Sequence, residues 1–195
     1  MSEAVGDSPV SGFPASDLTA PGTTAPDRRA DPVRIERVTP EHWRTYRDLR
    51  LASLIDSPRA FWETYARAAA RTDEQWRQRC GPDAPATWMA LDGERPVGTV
   101  GLARLPDAPA DEVVLIGMWV ASAARGTDLA TRLVETALTD AVTSGFRRVV
   151  LDVAHENGRA RAFYARLGFR PTGEAAVMPW DESVTEETLA LDLAR

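Results

Sequence analysis

The chain has 195 residues and a formal net charge of −6 at pH 7, enough length for one domain plus a tail. That negative balance, with basic residues not concentrated anywhere along the sequence, argues against nucleic acid as the main partner. No uninterrupted apolar run approaches the ~20 residues needed to cross a bilayer, and the first thirty-odd residues lack the basic and apolar regions of a secretory signal, so no membrane association and a cytoplasmic location are expected. The one cysteine, Cys80, has no intrachain disulfide partner and no His or Cys neighbours at ligand spacing, so no metal site is expected. All 23 basic residues are arginine. The chain therefore offers no lysine amine.

Residues 1–31 are rich in Pro, Gly, Ser, Thr, Ala and Asp, a composition that cannot offset chain entropy by burial and that predicts a disordered tail. A domain over 32–195 follows. Order begins at Val33-Arg34-Ile35-Glu36-Arg37-Val38, whose alternation predicts a half-buried strand. Thr39-Pro40 then opens a helix with Trp43, Tyr46, Leu49 and Leu54 on one face. A second helix is expected from Pro58 to Arg71 and a short third one from Asp73 to Arg79, ended by Gly81-Pro82.

From Thr87 the pattern turns to strands. Trp88 to Leu91, a turn at Asp92-Gly93-Glu94, Pro96 to Leu105, and Glu112 to Val120 read as an antiparallel meander. A helix from Asp128 to Ser144 carries Leu129, Leu133, Ala137, Leu138 and Val142 on one face, and a buried strand from Arg147 to Val153 follows. The next helix starts near Asn157, aligns Ala160, Phe163, Tyr164 and Leu167, and stops at Gly168. Closing strands are expected at Gly173 to Met178 and Glu187 to Leu193. The order predicts a mixed α/β (α+β) sheet flanked by helices.

Two stretches carry chemistry. Met118-Trp119-Val120-Ala121-Ser122-Ala123-Ala124-Arg125-Gly126-Thr127-Asp128-Leu129-Ala130-Thr131 joins an apolar strand to an amphipathic helix through small residues. Unpaired amides at such a helix start suit a pyrophosphate, although by itself this is equally a plain strand-to-helix turn. Asn157-Gly158-Arg159-Ala160-Arg161-Ala162-Phe163-Tyr164-Ala165-Arg166-Leu167-Gly168-Phe169 places an Asn at a helix start and a Tyr two turns later. Taken singly these are a capping Asn and a core Tyr.

Together the stretches resemble the acyl-CoA site of the GNAT superfamily of N-acetyltransferases, in which Q/R-x-x-G-x-G/A is followed by N-x-x-A-x-x-F/L-Y-x-x-x-G-F. Asn157, Ala160, Phe163, Tyr164, Gly168 and Phe169 match the second pattern in full. In the first, Arg125 and Ala130 match the ends, and Asp128 stands where the family has its middle glycine. The resemblance implies a GNAT fold, a mostly antiparallel sheet splayed between its fourth and fifth strands. It also implies acetyl-CoA as cosubstrate, bound along Met118, Trp119 and Val120 and at the amides of Arg125, Gly126, Thr127, Asp128, Leu129, Ala130 and Thr131, with Asn157, Ala160, Phe163 and Tyr164 completing the site.

By the same resemblance, the partner is a primary amine acetylated directly in a ternary complex, Tyr164 is the acid that protonates the departing thiolate, and a homodimer is left open. A family carboxylate often projects from the fourth strand at the position of Val114, which cannot accept a proton. Glu112, two residues earlier on the same face, is the candidate base, against the reading of an ordinary exposed residue at a strand's start. His155 is a second candidate base or a surface histidine. Phe61-Trp62-Glu63-Thr64-Tyr65 with Trp76 either walls the acceptor pocket or packs in the core. Asp128 either repels the pyrophosphate, caps its own helix, or pairs with Arg125. A nucleotide-dependent Rossmann enzyme is disfavoured, because the chain runs three hairpin-like strands before its loop and lacks G-x-G-x-x-G there. An acyl-CoA-binding sensor remains the non-enzymatic alternative.

Overall fold

A computed structural model of the protein describes residues 33–193; the tail expected over 1–31 lies outside them. The alternating apolar and charged residues form β1 (Arg34–Arg37). Thr39 then turns the chain, its N–H donating to His42 Nδ1 at 3.2 Å, and one 3-10 turn at Pro40–His42 feeds α1 (Trp43–Asp56). The predicted stripe of Trp43, Tyr46, Leu49 and Leu54 is the buried face of α1.

The single helix expected from Pro58 to Arg71 is broken. One turn at Pro58–Ala60 gives way to an extended Phe61 at φ −140°, ψ 144°, and helix resumes only as α2 (Tyr65–Ala69). Thr64 accounts for the restart, because its Oγ1 accepts the Arg67 N–H at 3.3 Å as an N-cap. The extended stretch also carries the Phe61 ring into the core, burial that helix propensity cannot anticipate. α3 (Asp73–Gln78) follows behind a reciprocal capping box, with Gln75 N–H on Thr72 Oγ1 at 3.3 Å and Thr72 N–H on Gln75 Oε1 at 2.9 Å.

The remaining elements are β2 (Ala86–Asp92), β3 (Arg95–Ala103), β4 (Glu112–Val120), α4 (Leu129–Thr143), β5 (Arg148–Ala154), α5 (Gly158–Arg166), β6 (Arg170–Met178) and β7 (Asp181–Asp192). They form one seven-stranded sheet in the order β1-β2-β3-β4-β5-β7-β6. Every neighbouring pair is antiparallel except β4 and β5. This is the mixed, mostly antiparallel sheet flanked by helices that the sequence predicts. The last hairpin is longer than expected, since β7 begins at Asp181 rather than Glu187 and lies between β5 and β6.

Strand alternation divides β4 between two cores. Val113, Leu115 and Val120 pack with Leu133, Val134 and Ala137 of α4 and with Tyr164 and Phe169. Trp119 belongs instead to the other cluster, with Trp43, Tyr46, Leu49, Phe61 and Trp76. The helices α1 to α3 thus cover one face of the sheet, and α4 and α5 the other. No helix among the described residues is long and apolar enough to cross a membrane.

One carboxylate ties the first face to the end of β4. Asp56 Oδ2, on the last residue of α1, accepts from Ser57 Oγ at 2.7 Å, from the Trp119 indole Nε1 at 2.9 Å, and from the Arg125 guanidinium. Burial works to raise its pKa, but these three donors outweigh burial and hold the carboxyl below its ordinary value. A depressed folded-state pKa contributes stability above the unfolded value of ~3.9 that is lost as pH falls through the folded value. We therefore expect Asp56→Ala to lower unfolding stability at pH 7 by no more than about 1 kcal/mol, since Asp56 is exposed and its ion pair is screened by solvent. Urea melts of both proteins should show that gap narrowing as pH drops below the carboxylate range.

Candidate active site

β4 and β5 run parallel but pair over only three positions, Glu112↔Arg148, Val113↔Val149 and Val114↔Val150. On its other edge β4 carries a bulge, because Thr99 faces Trp119 while Gly101 faces Ile116, so one extra residue is inserted on β4. Gly117 sits in that insertion at φ 63°, a conformation that suits a residue without Cβ. Such a bulge bends its strand and increases its twist, and here it coincides with the departure of β4 from β5. Beyond Val114 the β5-facing edge of β4 has no strand beside it, so its peptide groups there lack ladder partners.

A cleft of about 410 Å³ occupies the gap. Val114, Leu115, Ile116, Gly117 and Met118 of β4 form one side, and Leu151 and Asp152 of β5 with Tyr164 of α5 form the other. The segment from Arg50 to Arg79, which includes Phe61, Trp62 and Glu63, closes the outer wall, and Glu186 of β7 faces it.

Tyr164 is brought into the cleft by α5. Asn157 Oδ1 caps that helix by accepting the Ala160 N–H at 3.1 Å. The Arg161 guanidinium pairs with Glu187 of β7. The Tyr164 ring is wedged between Phe163, at 5.2 Å between centroids, and Phe169, at 5.6 Å in a T-shaped contact. Burial pushes its phenol well above the ordinary tyrosine range, so the hydroxyl holds its proton throughout neutral pH. Phe163 and Ala160 pack around the same core at its edge.

The loop from β4 to α4 meets only part of the expectation. Its one 3-10 turn, Ser122–Ala124, is followed by Thr127, whose hydroxyl donates to Ala124 O at 2.8 Å and accepts the Leu129 N–H at 3.3 Å. Gly126, Thr127 and Asp128 are exposed. Ala130 and Thr131 fall in the first turn of α4, where amides have no intrahelical acceptor. The Arg125 guanidinium does not point outward as an anion ligand would. It donates from Nε to Val120 O at 2.9 Å and pairs with Asp56. Asp128 makes neither expected bond, since it forms no side-chain cap and Arg125 is taken by Asp56.

Glu112 is not brought to the cleft. It sits where β4 and β5 are still paired, held by Arg148 at 3.2 Å, and it lines a separate surface hollow with Asp111 and Arg147. The two-residue spacing correctly aligned it with Val114, but the cleft opens only from Val114 onward. His155 is exposed at the end of β5 and outside the cleft lining. The aromatic stretch divides between its two readings: Phe61 and Trp62 line the cleft, whereas Trp76 is core, edge-on to Tyr46 at 6.3 Å, and Tyr65 is exposed. Trp119 likewise turns its ring into the helical core and leaves only its strand backbone near the gap.

Two carboxylates missed by sequence reading are in the cleft. Glu186 is 4% exposed and accepts the Trp62 indole N–H. Its pKa is raised, chiefly by burial, against the Trp62 hydrogen bond and with added repulsion from Asp152. Asp152 itself accepts from Thr188 Oγ1 at 2.6 Å. The signal was alternation, because Val184 and Glu186 are the buried residues of one strand face, and a strand assumed to start at Glu187 hides it.

The sequence pattern of the acetyltransferase (GNAT) family matches residues 38–169. The chain belongs to that family. Among its relatives, human N-acetyltransferase 8B is 32% identical over 135 residues, which are 66% of this chain and 58% of that protein. The mycothiol acetyltransferase of Beutenbergia cavernae is 34% identical over 124 residues, 62% of this chain and 41% of that one. The chain thus spans about half the length of the curated relatives it matches. A GNAT-family acetyltransferase from Streptococcus pneumoniae superposes with a TM-score of 0.69 at 15% identity, covering 83% of this chain and 99% of its own. At that identity the likeness shows the fold alone, and it is the fold in which the opening between β4 and β5 is found here.

Proposed function

We infer that the chain is an N-acetyltransferase that moves an acetyl group from acetyl-CoA to a primary amine by direct transfer in a ternary complex. The observation that carries this reading is the parting of two parallel strands beside a buried, protonated tyrosine. The residues present fit such a cosubstrate. The unpaired edge of β4 beyond Val114 matches a ligand that carries amides and can complete the ladder, as a strand would, and the exposed start of α4 offers amides to a pyrophosphate.

Acetyl-CoA supplies the activated acyl group as a thioester. The amine nitrogen forms the new C–N bond, the C–S bond breaks, and two proton movements complete the balance. Glu186, with its pKa raised and its side chain facing the cleft, accepts the proton the amine must lose. Tyr164 donates its phenolic proton to the departing sulfur. A peptide N–H on the open edge of β4, near the Gly117 bulge, stabilises the oxyanion that develops on the carbonyl, a contribution of ~3–4 kcal/mol in comparable sites. Asn157 has its Oδ1 committed to α5, so only its amide NH₂ remains to meet the cosubstrate.

Turnover measured by release of CoA thiol across an amine panel, alongside calorimetry with acetyl-CoA, tests this reading. Binding of acetyl-CoA with no turnover on any amine would move the chain to an acyl-CoA-binding sensor. Tyr164→Phe should keep the fold and acetyl-CoA affinity and lower kcat by roughly 10- to 1000-fold; unchanged kcat with chemistry rate-limiting removes Tyr164 from the mechanism. Glu186→Gln should lower kcat/KM by a similar factor and abolish an acidic limb whose midpoint lies above the ~4.3 of an ordinary glutamate. A limb that survives in the Gln variant belongs to another group.

Asp128 generates a separate expectation. Its carboxylate makes no cap bond at the start of α4, and a pyrophosphate there would meet it at a repulsion of roughly 1–3 kcal/mol over ~6 Å before screening. Asp128→Gly should therefore bind acetyl-CoA more tightly at low salt, lose most of that advantage at moderate salt, and melt within a degree or two of the parent. Equal or weaker binding at low salt defeats the repulsion account.

A further inference from the structure

The outer wall of the cleft is built from one stretch of chain in which four cations meet a single acid. Arg50, Arg67, Arg71 and Arg79 line the cleft from this side, and Glu63 is the one carboxylate among them. Such a concentration is unexpected in a chain of net charge −6, because like charges gathered in a recess repel unless something of opposite sign answers them.

Glu63 answers only some of the charge. Its Oε2 lies 3.4 Å from both Nε and Nη2 of Arg50, and its Oε1 pairs with Arg71. Burial would raise the Glu63 pKa, yet the hydrogen bond from Arg71 and the charges of Arg50, Arg71 and Arg79 together hold it below the ordinary value. Arg50 is itself buried, stacked 4.4 Å from the Phe61 ring centre, and burial together with the nearby Arg79 disfavours its charge, against partial relief from Tyr46 and Glu63. The Arg71 Nη1 is buried with no hydrogen-bond partner. A charged donor orphaned in this way is costly unless a ligand accepts from it. Among the described residues Arg67 and Arg79 make no ion pair. The wall thus has donors and charge to spare, in a planar geometry that suits a carboxylate.

The opposite side of the cleft has the opposite sign. Asp152 and Glu186 project from β5 and β7, where the proposed amine must lose its proton. Resting on the acetyltransferase reading above, we propose that the acceptor is a small amine that also carries a carboxylate, an amino-acid-like molecule whose carboxylate is held by Arg67, Arg71 and Arg79 and whose amine is directed at Glu186 and Asp152. A protein N-terminus fits less well, because its amine is followed by a neutral peptide group and a chain that a cleft of about 410 Å³ must also accommodate.

The test uses matched pairs, a panel of α-amino acids each against its decarboxylated amine, with saturating acetyl-CoA and CoA thiol release as readout. The carboxylate member of each reactive pair should show kcat/KM higher by about tenfold or more. Arg67→Gln and Arg79→Gln lie on exposed positions and should fold; each should raise KM for the amino acid several-fold more than for the neutral amine, and Arg79→Lys should restore part of the loss. Equal or better turnover of the neutral amine overturns the proposal, as does an aminophosphonate analogue that outperforms its carboxylate. Calorimetry with N-acetyl amino acids against the corresponding N-acetyl amines, in the presence of CoA, reads the same preference without turnover. Tighter binding of the carboxylates that is lost in Arg79→Gln supports it, and equal affinity, or no binding by any carboxylate, overturns it. Tight carboxylate binding with no turnover on any amine would strike down the acetyltransferase reading and leave the charge preference standing.

Discussion

The structure depends on two parallel strands that cannot stay together. β4 and β5 share three paired positions and then separate, and each neighbour reinforces the separation. On one side β3 accommodates the bulge at Gly117; on the other, β5 continues its pairing with β7 through Ala154 and Glu186. A sheet interrupted in its middle loses ladder hydrogen bonds there, and it keeps its integrity because each half is completed by antiparallel partners. The cleft is therefore a product of topology rather than of any one side chain, and the side chains around it are drawn from both halves of the sheet and from the helices of both faces.

The two faces are connected as well as opposed. Trp119 and Val120, adjacent in β4, enter different cores, and Asp56 joins the end of α1 to the Trp119 indole and the Arg125 guanidinium. Arg125 in turn holds the carbonyl at the end of β4. The wall of the cleft and the loop before α4 thus share one set of hydrogen bonds, which explains why an arginine that matches the family pattern is turned inward. Its role in this chain is to fix the loop from behind, leaving the exposed backbone of Gly126 and Thr127 as the outward surface.

Much of this was legible in the sequence where local pattern and tertiary demand agree. β4 is bounded at Glu112 and Val120 by its apolar run, α4 follows from its stripe and α5 from its stripe and Asn157 cap, and the resemblance of residues 157–169 to the GNAT pattern is what singles out Tyr164. Legibility failed where a long-range contact overrules local preference. Residues 58–71 have helix-compatible composition, but Phe61 leaves the helix to fill the core. Glu112 lies on the expected strand face, yet the depth at which two strands part cannot be read from the periodicity of either one. Glu186 was hidden because Thr185, Glu186, Glu187 and Thr188 look like solvated residues, and only the pairing of β7 beneath Trp62 buries one of them.

The cations around the cleft are all guanidinium groups, the side chain that holds its charge most firmly. Facing them is the Glu186 carboxylate, whose pKa is raised chiefly by burial. One end of the cleft thus carries standing charge and the other a charge that appears as Glu186 ionises, so the dipole across it grows with that step. A lysine in place of the buried Arg50 would blur that division, since a buried ammonium surrenders its proton far more readily. On the proposed function it would also bring a nucleophilic nitrogen to the cleft, whereas an arginine wall supplies the same positive field without an amine to compete with the acceptor.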